Sequence, residues 1–185
     1  IIKSPAVPLS STYIQYALNN GIPVGTDIGI FLDEIERKTK NIIGVTGTKG
    51  KSTTATLIYN IFKKRYRNTF LGGNITVSVF DILDKVKMDS YVILELSSFQ
   101  LGGISAKKIS PRISVFTNFM EDHLNYYKDM DEYFNDKSVI YRFQKEKDLL
   151  VINRDDSVYR KIKPNKGVKI ISFGCGCQKV ELVEV

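Results

Sequence analysis

Cysteine is nearly missing from this sequence: Cys175 and Cys177 are the only two in 185 residues. Two thiols cannot build a disulfide framework, so the chain suits a reducing compartment and a cytoplasmic location is expected. Histidine is scarcer still, with His123 alone, which leaves a zinc site built on the two cysteines short of ligands. No apolar run approaches the ~18 residues that a membrane-spanning helix needs, and no membrane partner is expected. Internal repeats and low-complexity segments are absent. The start, Ile1-Ile2-Lys3-Ser4-Pro5, has neither a signal-peptide layout nor an initiator Met, which reads as part of something longer. Acidic residues are the minority, 20 against 27 Lys and Arg, for a net charge of +7. Such an excess invites a nucleic-acid reading. Yet the lysines are scattered, and the densest run, Lys63-Lys64-Arg65-Tyr66-Arg67, falls where a helix should end and cations complement its dipole. No recognition-module signature accompanies it, so no nucleic-acid partner is expected. The hydrophobic share, 43%, is that of an ordinary globular protein long enough to bury a substantial core.

What the chain does have is the stretch Gly44-Val45-Thr46-Gly47-Thr48-Lys49-Gly50-Lys51-Ser52-Thr53-Thr54. It follows apolar Ile42-Ile43 and precedes small and apolar residues from Ala55 to Tyr59, so it reads as strand, glycine-rich turn and helix. That is the layout of a phosphate-binding loop. Backbone N–H groups curl around phosphate oxygens at a helix N-terminus, where the dipole favours negative charge and glycines permit the curl. Lys51 can then reach the terminal phosphates, and Ser52 can offer its hydroxyl to Mg²⁺. The general spacing puts a glycine where this chain has Val45, so the loop is a variant whose first glycine is Gly47. The plain alternative is a glycine-rich turn before an ordinary helix.

Ahead of the loop, Ser10 or Ser11 can cap a helix running to about Asn20, stopped by Gly21. Ile22-Pro23-Val24 reads as a short strand, and Asp27 as the cap of a second helix over 28–37. This piece cannot enclose a core by itself. We read residues 1–40 as the tail of a preceding domain, with a boundary near Lys40, and 41–185 as the domain that follows. Segment 1–40 exposes an apolar face unless it packs on the central sheet or pairs with a neighbour, so self-association is an expected outcome. From Ile42 strands and helices alternate, which predicts an α/β fold: a parallel sheet flanked by helices, of the phosphate-loop type. Strands are placed at 42–46, 69–71, 91–95, 112–116, 148–152 and 168–172, and helices at 51–65, 77–86, 131–144 and 155–162. Residues 178–185 can start another strand.

Three further constellations stand at strand ends, where ligands gather in open α/β sheets. Tyr91-Val92-Ile93-Leu94-Glu95 closes on a carboxylate that can bind Mg²⁺ beside the loop, or simply face solvent. Leu96-Ser97-Ser98-Phe99-Gln100 follows as a polar turn able to line a substrate cleft. Gly72-Gly73-Asn74-Ile75 permits close backbone approach and offers the Asn74 amide, though such turns are common. Asn118-Phe119-Met120-Glu121-Asp122-His123 follows the strand from Ile113 to Phe116. A lone histidine is as easily structural as a ligand, and Lys137 on the next helix reads as a solvated lysine.

Together, Thr46-Gly47-Thr48-Lys49-Gly50-Lys51-Ser52, Gly72-Gly73-Asn74-Ile75, Glu95-Leu96-Ser97-Ser98-Phe99-Gln100-Leu101, Asp122-His123-Leu124 and the Lys137 helix resemble the Mur ligases of peptidoglycan synthesis. The Glu-Leu-Ser-Ser-Phe-Gln-Leu string resembles most the D-glutamate-adding branch. The resemblance implies an ATP-dependent, peptide-bond-forming ligase, monomeric in the family, with UDP-N-acetylmuramoyl-L-alanine and D-glutamate as substrates and ATP and Mg²⁺ as cofactors. It also implies that residues 1–40 end a Rossmann-like domain that binds the UDP-linked substrate and that 41–185 are a central ATP-binding domain, incomplete at its C-terminus. It implies that Gly47, Thr48, Lys49, Gly50, Lys51, Ser52 and Thr53 hold ATP, and that Ser52 and Glu95 hold Mg²⁺. Asn74, Ser97, Gln100 and His123 would face the UDP-linked substrate, and His123 with Lys137 a second metal. Lys51, His123 and Lys137 are the catalytic candidates. Lys137 matches a lysine that this family carboxylates on its amine, turning a cation into a metal-binding anion. The chain departs from the family pattern at Lys49, at Thr76 and over Asn125-Tyr126-Tyr127. Adenine and D-glutamate contacts of the family come largely from sequence beyond Val185, so this chain is expected to be inactive alone. The competing readings are another Mur-type amino-acid ligase and a generic phosphate-loop ATPase or kinase.

Overall fold

Along Tyr91-Val92-Ile93-Leu94-Glu95 the apolar side chains alternate between two cores, because successive residues of a strand point to opposite faces. Val92 and Leu94 enter one cluster and Ile93 the other. Burial on both faces is what a parallel sheet covered by helices demands. In the computed structural model, which describes residues 1–75, 77–175 and 181–183, that sheet has seven strands. Thr76 and Cys177 lie outside the described residues.

The strands are β1 (Ile42–Thr46), β2 (Thr69–Gly73), β3 (Tyr91–Glu95), β4 (Ile113–Phe116), β5 (Leu149–Asn153), β6 (Lys169–Phe173) and β7 (Glu181–Val183). Their spatial order is β2-β3-β1-β4-β5-β6-β7. The first six are parallel, and β7 pairs antiparallel with β6. The helices are α1 (Thr12–Asn19), α2 (Asp27–Lys38), α3 (Lys51–Arg65), α4 (Phe80–Leu83), α5 (Ser98–Ile104) and α6 (Met130–Arg142). The larger core joins Ile28, Phe31, Leu32 and Ile35 of α2 and Leu101 of α5 to Val92, Leu94, Phe116 and Ile152. The smaller lies under α3, where Ala55 meets Ile43, Val45, Ile93 and Val115. Thus α2 packs on the central sheet, the first of the outcomes open to segment 1–40.

The parallel sheet and the α3 helix lie where periodicity puts them, and Lys63, Lys64 and Arg65 occupy the last turn of α3. Elsewhere the structure differs. Residues 22–24 form no strand, since the only pairing there is an isolated bridge between Ile2 and Gly25. The cap of α2 is Thr26, whose hydroxyl accepts from Gly29 N at 3.1 Å, and Asp27 is the first helical residue. The helix expected over 77–86 shrinks to α4, and that expected over 155–162 to one 3₁₀ turn, Ser157–Arg160. Conversely, the polar turn after Glu95 opens α5. Ser97 Oγ accepts from Gln100 N and Gln100 Oε1 from Ser97 N, a reciprocal cap that satisfies donors at the helix start.

Candidate functional site

Strand register brings the candidate residues together. Gly73 of β2 stands opposite Glu95 of β3, and Glu95 opposite Val45 of β1, whose β4 partner is Val115. Every chain segment leaving this row emerges on the same edge of the sheet. Those segments are the glycine-rich loop after Thr46, Asn74 after Gly73, Ser97 after Glu95, and Thr117-Asn118 after Phe116.

The loop is held from the β4 side. Lys49 N donates to Asn118 Oδ1 at 2.8 Å, and Asn118 Nδ2 returns a bond to Lys49 O at 3.0 Å. Thr117 Oγ1 donates to Lys49 O at 2.9 Å, and Thr48 N to Asn118 O at 3.0 Å. Thr48 Oγ1 bridges to Met120 O and lies 3.4 Å from the Tyr133 hydroxyl. The N–H groups of Thr48 and Lys49 are therefore consumed within the protein. Those of Gly50, Lys51, Ser52 and Thr53 open the first turn of α3, where a helix leaves its donors without backbone partners. Gly50, at φ 77°, bends the chain into that turn. This is an anion cradle at a helix N-terminus.

Lys51 Nζ donates to Thr48 O at 3.0 Å, folded across the loop it would serve. Burial pushes its ammonium below the ordinary value, against the pull of Glu95 and Asp122. Glu95 is 2% exposed; its Oε1 takes Asn74 Nδ2 at 3.4 Å, while Oε2 is buried with no partner. An orphaned carboxylate oxygen beside a phosphate cradle is a demand for positive charge. The residues present thus fit a hard cation with oxygen ligands, Glu95 and the Ser52 hydroxyl supplying the protein's share. Among the described residues no group of three or more His, Cys, Asp and Glu is placed to hold a metal.

Lys137 departs most from its solvated reading. It is 1% exposed, donates to Gly47 O at 2.7 Å and lies 4.8 Å from the Tyr133 ring centre. Burial, seconded by the Lys51 charge, lowers its pKa to about 7. A good share of this amine is therefore neutral near neutral pH, and only the neutral form is a nucleophile.

His123 adopts a left-handed backbone, φ 55°, with its ring between Phe99 (5.0 Å) and Tyr133 (5.9 Å). It sits on the same side as the loop, half exposed. Asn74 N donates to the Glu95 main-chain carbonyl at 2.8 Å, which anchors Asn74 where its side-chain amide reaches the Glu95 carboxylate. Ser97 and Gln100 direct polar atoms at each other in the α5 cap. Sequence reasoning assigned no role to Thr117, Asn118 or Tyr133, which shape the loop. The signal was available: two polar residues directly after the strand beside the loop's own.

Replacing Asn118 with Ala would free the Lys49 N–H and take one of two donors from the Lys49 C=O, leaving that carbonyl to Thr117 Oγ1. Each bond is worth about 0.5–1.5 kcal/mol net. Affinity for ATP is expected to fall about tenfold while the melting temperature drops by only a few degrees. Parallel calorimetry and thermal unfolding would check this, and unchanged affinity would remove Asn118 from the site.

A family model described as the Mur ligase middle domain matches residues 45–184. The UDP-N-acetylmuramoylalanine–D-glutamate ligase of Clostridium kluyveri is 38% identical over 158 residues, 85% of this chain and 33% of its own length. That of a Geobacillus species is 32% identical over 173 residues, 94% of this chain and 37% of its own. The chain thus spans about a third of the curated relatives it matches. Among solved structures, MurF ligase from Thermotoga maritima in complex with ADP superposes with a TM-score of 0.64 at 22% identity, covering 91% of this chain and 44% of that one. UDP-N-acetylmuramate-alanine ligase MurC from the same organism gives 0.58 at 26%, covering 97% and 39%.

Proposed function

The chain belongs to the Mur ligase family, and from that premise we propose that it is the ATP-binding module of a cytoplasmic ligase that adds D-glutamate to UDP-N-acetylmuramoyl-L-alanine. The observation that carries the ATP part is the cradle of Gly50 to Thr53 facing the orphaned Glu95 carboxylate. The identity of the amino acid rests on the named relatives. As α2 shares the core, we place the division from the preceding substrate domain near Gly25 rather than at Lys40.

In this reading the substrate carboxylate attacks the γ-phosphorus of ATP, ADP departs and an acyl phosphate forms. The D-glutamate amine then attacks the acyl carbon and phosphate leaves. The chain's part is positioning and charge. Backbone N–H groups at the start of α3 hold phosphate oxygens. Lys51 exchanges the Thr48 carbonyl for a phosphate oxygen and offsets the charge on the phosphoryl group in flight. Mg²⁺, when bound to Ser52 and Glu95, supplies further neutralisation. Asn74 keeps Glu95 turned toward the loop. His123, Ser97 and Gln100 border the side from which the UDP-linked substrate would come. The neutral fraction of Lys137 can take up CO₂, forming an N–C bond and releasing a proton, and the resulting carbamate with His123 is the proposed holder of a second metal.

Titration calorimetry with ATP and Mg²⁺ tests the premise. This chain is expected to bind weakly and exothermically, and Lys51→Ala to bind about 30-fold more weakly, as loss of a charge-assisted contact of about 2 kcal/mol requires. Equal heats from the two proteins would sink the assignment of the loop. In a full-length ligase, phosphate release should need both the UDP-linked substrate and the amino acid; release from ATP alone would favour a generic ATPase.

A further inference from the structure

The catalytic edge accounts for few of the 27 basic side chains. Many others gather at the opposite edge, because each parallel strand is entered from the same side. Lys40 precedes β1, Arg67 β2, Lys87 β3, Arg112 β4 and Lys147 β5, while Lys169 opens β6; all six are exposed. Across six strands the row spans about 24 Å at roughly 4.8 Å per strand. A depression of about 400 Å³ beneath β1, β4, β5 and β6 is lined by Lys40, Arg112, Lys147 and Lys169, over a floor of Ile113, Leu149 and Ile171. No carboxylate lines it. Arg112 is paired with Asp148 at 3.2 Å, but Lys147 and Lys169 have no carboxylate partner among the described residues. Glu36, Asp89 and Glu146 interrupt the row only in neighbouring hollows. In the loop before β3, Met88 projects 85% exposed between Lys87 and Asp89.

We propose that this edge is a docking surface for an anionic lipid bilayer, standing the sheet on the membrane with the phosphate loop turned away. A broad row of flexible cations above an apolar floor, with a projecting Met, matches charged headgroups overlying acyl chains. Nucleic acid would be better served by open aromatic faces. The aromatic pair at this edge, Tyr66 and Tyr91, is packed together instead, ring centres 4.3 Å apart. The expectation of no membrane partner rested on the lack of a spanning run, which does not address contact from one side. No residue of the ATP site takes part, so the proposal stands or falls apart from the ligase reading.

The test is co-sedimentation of the 185-residue chain with vesicles of phosphatidylcholine, alone or with phosphatidylglycerol added. Binding is expected only to the anionic vesicles, falling steeply as salt is raised. The combined variant Lys40→Gln, Lys147→Asn, Lys169→Gln should bind on the order of a hundredfold more weakly, from about 1 kcal/mol per basic residue near the surface. Met88→Ser should weaken binding without changing the salt dependence. Equal partition onto both vesicle types would overturn the proposal. So would a correctly folded triple variant that binds like the unaltered chain, or duplex DNA that strips the chain from vesicles at equal phosphate. The salt dependence of the unaltered chain decides the matter even if the variant misfolds.

Discussion

Replacing Lys137 with Ala in a full-length ligase is expected to abolish peptide-bond synthesis, with short carboxylic acids such as acetate restoring part of it. The amine is 1% exposed and bonded to Gly47 O, so no solvated role accounts for it. Its pKa near 7 leaves enough neutral amine to form a carbamate. The same shift separates a chemical role from a structural one. The ordinary value is 10.5, so between about pH 7 and 10.5 the unfolded chain binds the proton that the folded chain has released. Folding stability contributed by this residue therefore rises with pH across that window, and below it the buried cation is a liability. Lys137→Met keeps the volume and removes the charge. It should lose synthesis as fully as the Ala variant, yet unfold at no lower a temperature at pH 6. Full synthesis in either variant would refute the role. Isotope-labelled bicarbonate offers a direct view, since a carbamate resonance should appear in the unaltered ligase and be absent from Lys137→Met.

Gly47→Ala should remove measurable ATP binding, the second large effect. The residue sits at φ 151°, and an added Cβ would be driven into Thr117 Oγ1 and against Asn118 N. Those two residues are the clamp on the loop, so the clash cannot be relieved without moving what shapes the cradle. Backbone strain alone costs about 1–3 kcal/mol. At about 2–4 °C per kcal/mol for a chain of this size, the melting temperature should fall by several degrees. Gly21→Ala is the matched control: it too has positive φ, 68°, but an added Cβ meets open space. It should show the strain and keep ATP binding. If Gly47→Ala binds ATP as the unaltered chain does, the loop is more yielding than its hydrogen bonds imply.

Much of the site was legible in the sequence because its signals are local. Gly-Lys-Ser between an apolar strand and a helix states its purpose within a dozen residues, and the strands β1 and β3 and the helix α3 fall where period and composition put them. Glu95, Asn74 and His123 could be marked as strand-end residues for the same reason. The α5 helix was hidden because its seven residues are too few to show a period, and its Ser97–Gln100 cap reads equally well as a turn. What α2 does was hidden because its apolar stripe announces a buried face without naming the surface that buries it.

Other features exist only once strands are paired. The clamp of Asn118 on Lys49 joins residues 69 positions apart, and the Lys137 bond to Gly47 joins residues 90 apart. Burial, seconded by the Lys51 charge, converts Lys137 from a surface cation into a partly neutral amine, and both are properties of the packed fold. The basic edge is the clearest case. Along the chain those charges look scattered, one or two before each strand, and a parallel sheet turns that spacing into a single row by bringing every strand in from the same side. The sequence by itself determined which residues can cradle a phosphate, since backbone freedom and helix polarity act over neighbouring residues. Tertiary structure alone decided which oxygen is left without a partner, which amine gives up its proton and which face carries the charge, because each depends on distances that the chain sets only by folding.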